Sequence, residues 1–158
     1  MKQSKVLVIY FKHTISEEVA TNLTVAVDIV GLESNQISIK KFVQSPYLID
    51  YQFIIGLGQY SGKDKKELRL ETTCNKKWRN SLLLDMKITK IKPFLYETAQ
   101  LRYAKGHGNS YCNFLSLLTI NTHPNKLYNF IHIPEDFDPH KATTELDTQI
   151  SLMMHSCA

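Results

Sequence analysis

The chain alternates short apolar runs with segments of helical periodicity. Val6 to Phe11 is an unbroken apolar run, rich in β-branched and aromatic residues, as expected of a strand buried on both faces of a parallel sheet. Ser16 offers an N-cap, Glu17 and Glu18 suit a first helical turn, and Val19, Ala20, Leu23, Ala26, Val27 and Val30 recur at helical spacing before Gly31. Gln36 to Phe42 reads as a half-buried strand with Ile37 and Ile39 on one face, and Ser45-Pro46 as a cap and first turn. Phe53 to Leu57 reads as a strand ended by Gly56-Leu57-Gly58, and Leu68 to Thr72 as a short extended segment. From Cys74 to Thr98 no periodicity dominates.

Leu101 to Ala104 reads as a further strand. After the loop at Gly106-His107-Gly108-Asn109-Ser110, the residues Tyr111, Phe114, Leu115 and Leu118 share one helical face. Tyr128 to Ile133 predicts a strand closed by Pro134. Asp138 as N-cap and Pro139 at the first helical position open a last helix with Leu146, Ile150, Met153 and Met154 as its apolar stripe. Strands alternating with helices predict one α/β domain over residues 1–158, a three-layer α/β/α sandwich around a mostly parallel or mixed central sheet.

Composition narrows the class. The 158 residues are 43% apolar and 22% charged, the balance of an ordinary globular protein. A net charge of +4 carries little functional weight. Three widely spaced cysteines, Cys74, Cys112 and Cys157, fit free thiols in a reducing compartment. No apolar run is long enough for a signal h-region or a membrane span, so the expected location is cytoplasmic.

Cys112 carries the most information. It stands at the mouth of a predicted helix, where unpaired N–H groups and the helix dipole would lower a thiol pKa; a buried structural cysteine is the plain alternative. His132 lies near the end of the next strand, at the sheet edge where open α/β sheets bind ligands, and would serve as general base. Glu71 would orient that imidazole, although a solvated acid is the ordinary reading of a lone glutamate. His13, His107, His123, His140 and His155 have weaker claims from their loop or end positions.

Three segments resemble the pyroglutamyl peptidase (pyrrolidone carboxyl peptidase) family of cysteine peptidases. Gly108-Asn109-Ser110-Tyr111-Cys112-Asn113 is similar to the family's A-G-x-Y-x-C-N signature, and Phe130-Ile131-His132-Ile133-Pro134 to its F-I-H-V-P segment. Gly56-Leu57-Gly58 through Leu70-Glu71, with Asn75 beyond, is similar to its strand-end glycine motif and glutamate. The order Glu, Cys, His is the family's, and the histidine follows the cysteine by 20 residues.

The resemblance implies a phosphorylase/hydrolase-like fold. It further implies Cys112 as nucleophile, His132 as base, Glu71 as third member, and removal of an N-terminal pyroglutamyl or related N-acyl group from a peptide or small amide. Phe11 is expected as one pocket wall, with Gln59, Tyr60 and Arg79 as substrate contacts. No metal or organic cofactor is implied, and self-association is left open.

The chain departs from the family where its first loop, G-F-x-P-F-G-G, is replaced by Tyr10-Phe11-Lys12-His13-Thr14. It is also shorter before Phe53 and after Asn75. Three rival readings follow. One is a binding protein of the same fold with an eroded pocket or altered specificity. Another is a zinc site drawing on Cys74, Cys112, His132 and Glu71, which no paired ligand motif anchors. The third is nucleic-acid binding through Lys63, Lys65, Lys66, Arg69, Lys76, Lys77, Trp78 and Arg79; the acids interleaved there favour a solvated face, so no nucleic acid is expected.

Overall fold

A computed structural model describes residues 5–62, 66–78, 81–82, 85–108 and 110–157. Val6–Phe11 (β1), Asp28–Leu32 (β2), Phe53–Tyr60 (β3), Leu68–Glu71 (β4), Leu101–Ala104 and Leu127–Pro134 build one six-stranded sheet. Between β4 and Leu101, the short strands Lys77–Trp78 (β5) and Ser81–Leu82 (β6) pair with each other in a separate two-stranded sheet. Leu101–Ala104 is therefore β7 and Leu127–Pro134 is β8, and the sheet order is β2-β1-β3-β8-β4-β7. All pairings in the large sheet are parallel except β4 with β8.

Helices Ile15–Thr21 (α1) and Pro139–Ser156 (α4) cover one face of the sheet. Helices Gln36–Val43 (α2) and Tyr111–Thr122 (α3), with a 3-10 turn at Pro46–Asp50, cover the other. The three-layer α/β/α architecture is as the sequence predicts.

The strand pattern explains why both faces fill. In β1, Leu7, Ile9 and Phe11 join the core beneath α2 and α3, whereas Val6 and Val8 join the core beneath α1 and α4. Alternate residues of a strand point to opposite faces, so a strand apolar at every position can only be satisfied by two covering layers. In α3 every residue from Cys112 to Ile120 is buried, which is why its apolar character is nearly continuous rather than confined to a stripe. In α4 the Asp138 carboxylate accepts the N–H of His140 and Lys141, as expected of an N-cap.

Two segments differ from the sequence reading. The helix expected through Val30 stops at Thr21, and Thr14, not Ser16, is its N-cap. Asp147 of α4 accepts the N–H groups of Thr24 and Val25 and the Thr24 hydroxyl, which draws the chain out of the helix. The β-branched residues beyond then pair with β1 as the edge strand β2.

Gln36 to Phe42 is helical, not extended. The Asn35 side chain accepts from Ser38 N–H at 2.8 Å and caps α2. Ile39 and Val43, four apart, enter the core, while Ile37 is 80% exposed. The apparent two-residue alternation of Ile37 and Ile39 was thus a helix read at too short a window.

The stretch from Cys74 to Thr98 has no dominant element because it is a long crossover tethered by asparagines. Asn113 holds Asn75, Asn121 holds Ile88, and Asn129 holds Phe94 and Leu95, each through backbone groups. Ile91 lies in the core under α3 and Leu95 in the core under α4, so the segment passes from one face of the sheet to the other.

Candidate active site

The face of the sheet beneath α3 carries the polar cluster. In the parallel register Gly56 is level with Phe130 and Gly58 with His132. In the antiparallel register Arg69 is level with His132 and Glu71 with Phe130. Side chains two apart on a strand share a face, so Phe130, His132, Arg69 and Glu71 all rise toward α3.

His132 and Glu71 are joined. Nδ1 of His132 lies 2.8 Å from Oε1 of Glu71, and both side chains are buried. A carboxylate only accepts, so Nδ1 carries a hydrogen, and in the neutral form of the ring Nε2 carries the lone pair. Arg69 shields the buried acid: its Nε is 3.3 Å from the same oxygen, close enough for ion pairing without hydrogen-bond alignment. Its Nη2 donates to the Lys105 carbonyl at 3.2 Å, and its Cζ sits 4.5 Å from the Tyr60 ring centroid. A buried carboxylate requires such a partner.

Cys112 enters from the first turn of α3. A side-chain carbon at position 58 would collide with its sulfur and with the Phe130 ring. Glycine at 58 therefore makes the room in which the thiol rests, on the strand position directly beside His132. Burial pushes the thiol pKa up to about 12, against the opposing influence of the Ser110 hydroxyl and the Cys112 backbone N–H. The helix mouth alone predicts a lowered value; desolvation is the larger effect here. Cys74, also buried, is pushed up to about 12 by burial, with Glu71 adding to the shift.

The remaining sequence candidates are placed as follows. Phe11 shares the apolar cluster of Cys112 but is only 2% exposed, so its ring is core rather than rim. Tyr60 is half-buried, with its ring centroid 5.9 Å from that of His132. Gln59 is level with Ile133 and so points to the opposite face, where its amide accepts from Ile15 N–H and donates to Glu135. The fold does not bring it to the cysteine, because adjacent residues of a strand diverge. Arg79 lies outside the described residues, as do Lys63, Lys65 and Asn109.

Sequence reasoning undervalued His107. It is 3% exposed, its ring centroid is 4.6 Å from Phe130 and 4.9 Å from His132, and the two imidazoles meet edge to face. Nε2 of His107 lies 2.7 Å from the Ser116 hydroxyl, which contacts the Tyr128 hydroxyl at 2.9 Å. Burial, reinforced by His132, holds the His107 pKa well below its ordinary value, so the ring is neutral. The signal was the flanking pair of glycines: Gly106 and Gly108 have φ of 91° and 77°, a left-handed backbone that turns the loop back and inserts the ring between them. Arg69 was also missed as a partner, although it stands two residues from Glu71 and must share its face.

Solved structures share the fold. A variant of the pyrrolidone carboxyl peptidase from Pyrococcus furiosus superposes with a TM-score of 0.69 at 14% identity, covering 98% of this chain and 100% of that one. The chain has the fold of the pyrrolidone carboxyl peptidases. Pyroglutamyl peptidase I from Bacillus amyloliquefaciens is similar at TM-score 0.65 and 16% identity, covering 96% and 97% of the two chains. The Thermus thermophilus pyrrolidone carboxyl peptidase is similar at 0.61 and 13%, covering 92% and 98%. No protein-family model and no curated protein sequence matches the chain. Among the described residues no helix is long and apolar enough to cross a membrane.

Proposed function

We propose that the protein is a cysteine hydrolase that removes an N-terminal pyroglutamyl or related N-acyl group from peptides. The observation that carries this reading is the hydrogen bond between His132 Nδ1 and Glu71 Oε1, on the sheet face that also receives the Cys112 sulfur. It leaves Nε2 of His132 as the basic nitrogen of the pair. Fold likeness adds support, although a fold by itself does not dictate chemistry.

In this mechanism Nε2 takes the Cys112 proton as the sulfur attacks the acyl carbon of the scissile amide. N–H groups of the first turn of α3 stabilise the oxyanion. The imidazolium, steadied by Glu71, gives its proton to the leaving amine, and a thioester remains on the sulfur. Water then loses a proton to Nε2 and attacks the thioester, releasing the acid and restoring the thiol. A thiol pKa near 12 means that the resting sulfur is protonated, so proton transfer accompanies attack rather than preceding it. Tyr60, beside His132 at the strand end, is the proposed substrate contact, and a neutral lactam suits the apolar rings around the site. Arg79 is kept as a proposed contact from the sequence resemblance alone.

The decisive test is hydrolysis of a fluorogenic pyroglutamyl amide and a panel of N-acyl amides by the wild type and Cys112→Ser. Turnover lost in the variant supports the reading; equal inertness of both proteins rejects it. One observation favours a second reading, a binding protein of the same fold: the burial that keeps Cys112 protonated and Phe11 in the core. Saturable binding of pyroglutamyl peptides without turnover would select it.

A further inference from the structure

One donor atom from each of Glu71, His107 and His132 falls in a group within 4.8 Å of one another, and all three side chains are buried. Two of these residues carry a buried atom with no partner on another residue: Oε2 of Glu71 and Nδ1 of His107. Unpartnered buried polar atoms are costly and call for an explanation. The Ser116 hydroxyl, 2.7 Å from His107 Nε2, can receive its hydrogen, which leaves the lone pair on the unpartnered Nδ1. A ring held through its other nitrogen is the usual support of a metal-binding histidine.

We infer that Glu71, His107 and His132 form a binding site for a divalent transition cation of the zinc type. Two imidazoles and one carboxylate are a donor set suited to such a cation, with the remaining position taken by water. A tetrahedral site places its donors about 3.3 Å apart, so closure from the present spacing takes side-chain rotations of roughly 1 Å. The cation would supply the missing partner of Glu71 Oε2 and His107 Nδ1 together. Its chief opponent is the Arg69 guanidinium, 3.3 Å from Glu71 Oε1.

Binding rests on these side chains alone. Its consequence rests on the hydrolase reading: because Glu71 lies against Nδ1 of His132, the cation takes Nδ1 and the hydrogen there moves to Nε2, so the base is lost and the metal would act as a reversible inhibitor, not as a catalyst.

The test is titration of the full chain with Co2+, followed by absorption spectroscopy and by displacement with Zn2+. The expected result is one equivalent of bound Co2+ with the visible bands of a four-coordinate site and no thiolate charge-transfer band. Binding should weaken by at least about 100-fold in His107→Gln, since loss of a ligand exceeds the 10–100-fold cost of losing a supporting contact. Cys112→Ser should bind as the wild type does. If His107→Gln does not fold, Glu71→Gln takes its place with the same expectation. No saturable Co2+ binding, a thiolate band, or wild-type affinity in the folded ligand variant overturns the inference. The readout is bound metal, so a protein that binds Co2+ but hydrolyses nothing rejects the hydrolase reading alone. One that hydrolyses but binds no Co2+ rejects the metal site alone.

Discussion

Glu71 and His132 are 61 residues apart in the chain and 2.8 Å apart in space, joined across the single antiparallel pairing of the sheet. That pairing has a chemical consequence. It brings the carboxylate alongside the imidazole from a strand running the other way, so the acid meets Nδ1 and Nε2 stays clear of it. Glu71→Gln preserves shape but offers an amide that can donate as well as accept. The expected loss is about 10²–10⁴-fold in kcat with little change in KM, because orientation of the base is a transition-state effect. Steady-state kinetics on an active acyl amide checks it.

The buried thiol sets the pH behaviour. With the Cys112 pKa near 12, the thiolate fraction rises about tenfold per pH unit. Alkylation of Cys112 by iodoacetamide should therefore climb steadily from pH 7 to pH 10 without a plateau, and trail that of the exposed Cys157. Mass spectrometry of the labelled protein reads both. A plateau near neutrality would mean an activated thiolate in the free protein.

Cys74 and Cys112 also link stability to pH. Both thiols have folded values near 12 against an ordinary 9.0. A raised folded pKa means that the folded state keeps protons the unfolded chain has released. The stability is fully present below pH 9 and is lost as pH rises from 9 towards 12. Urea midpoints should fall across that window. Cys74→Ala should show a shallower fall than the wild type, with the difference confined to alkaline pH.

Gly58→Ala tests the close approach of α3 to the sheet. The added methyl meets the Cys112 sulfur and the Phe130 ring, so α3 must shift or the core strain. Overpacking of this kind costs about 1–3 kcal/mol, and displacement of the sulfur should reduce turnover more than stability. Gly108→Ala has open space around the new methyl but a φ of 77°. It should cost about 1–2 kcal/mol through the backbone alone. Thermal and urea unfolding separate the two.

Asn113 follows the cysteine and is fully buried. Its oxygen accepts from Asn75 N–H at 2.7 Å, and its amide donates to the Asn75 carbonyl at 2.8 Å. Asn113→Ala leaves those backbone groups without their partner, at a cost of about 1–3 kcal/mol. Hydrogen exchange should accelerate at Asn75, while the amides of β3 and β8 stay protected.

The amino-acid order by itself determined the layers of this protein. Strands apolar at every position, as in Val6 to Phe11, demand cover on both faces, and the Asp138-Pro139 entry to α4 is a local signal that hydrogen-bonds locally. The order also marked Cys112 and His132 through short contiguous motifs, and Glu71 through a looser one that runs from Gly56 to Asn75. Tertiary structure alone decided what depends on distant partners. Asp147 ended α1 at Thr21 by capturing backbone 123 residues away. Strand register sent Gln59 to the face opposite the cysteine and Arg69 to the same face as Glu71. The helix mouth predicted an acidic thiol, but the packing of α3 on Gly58 desolvated it, and desolvation is a property of the assembled core that no local motif encodes.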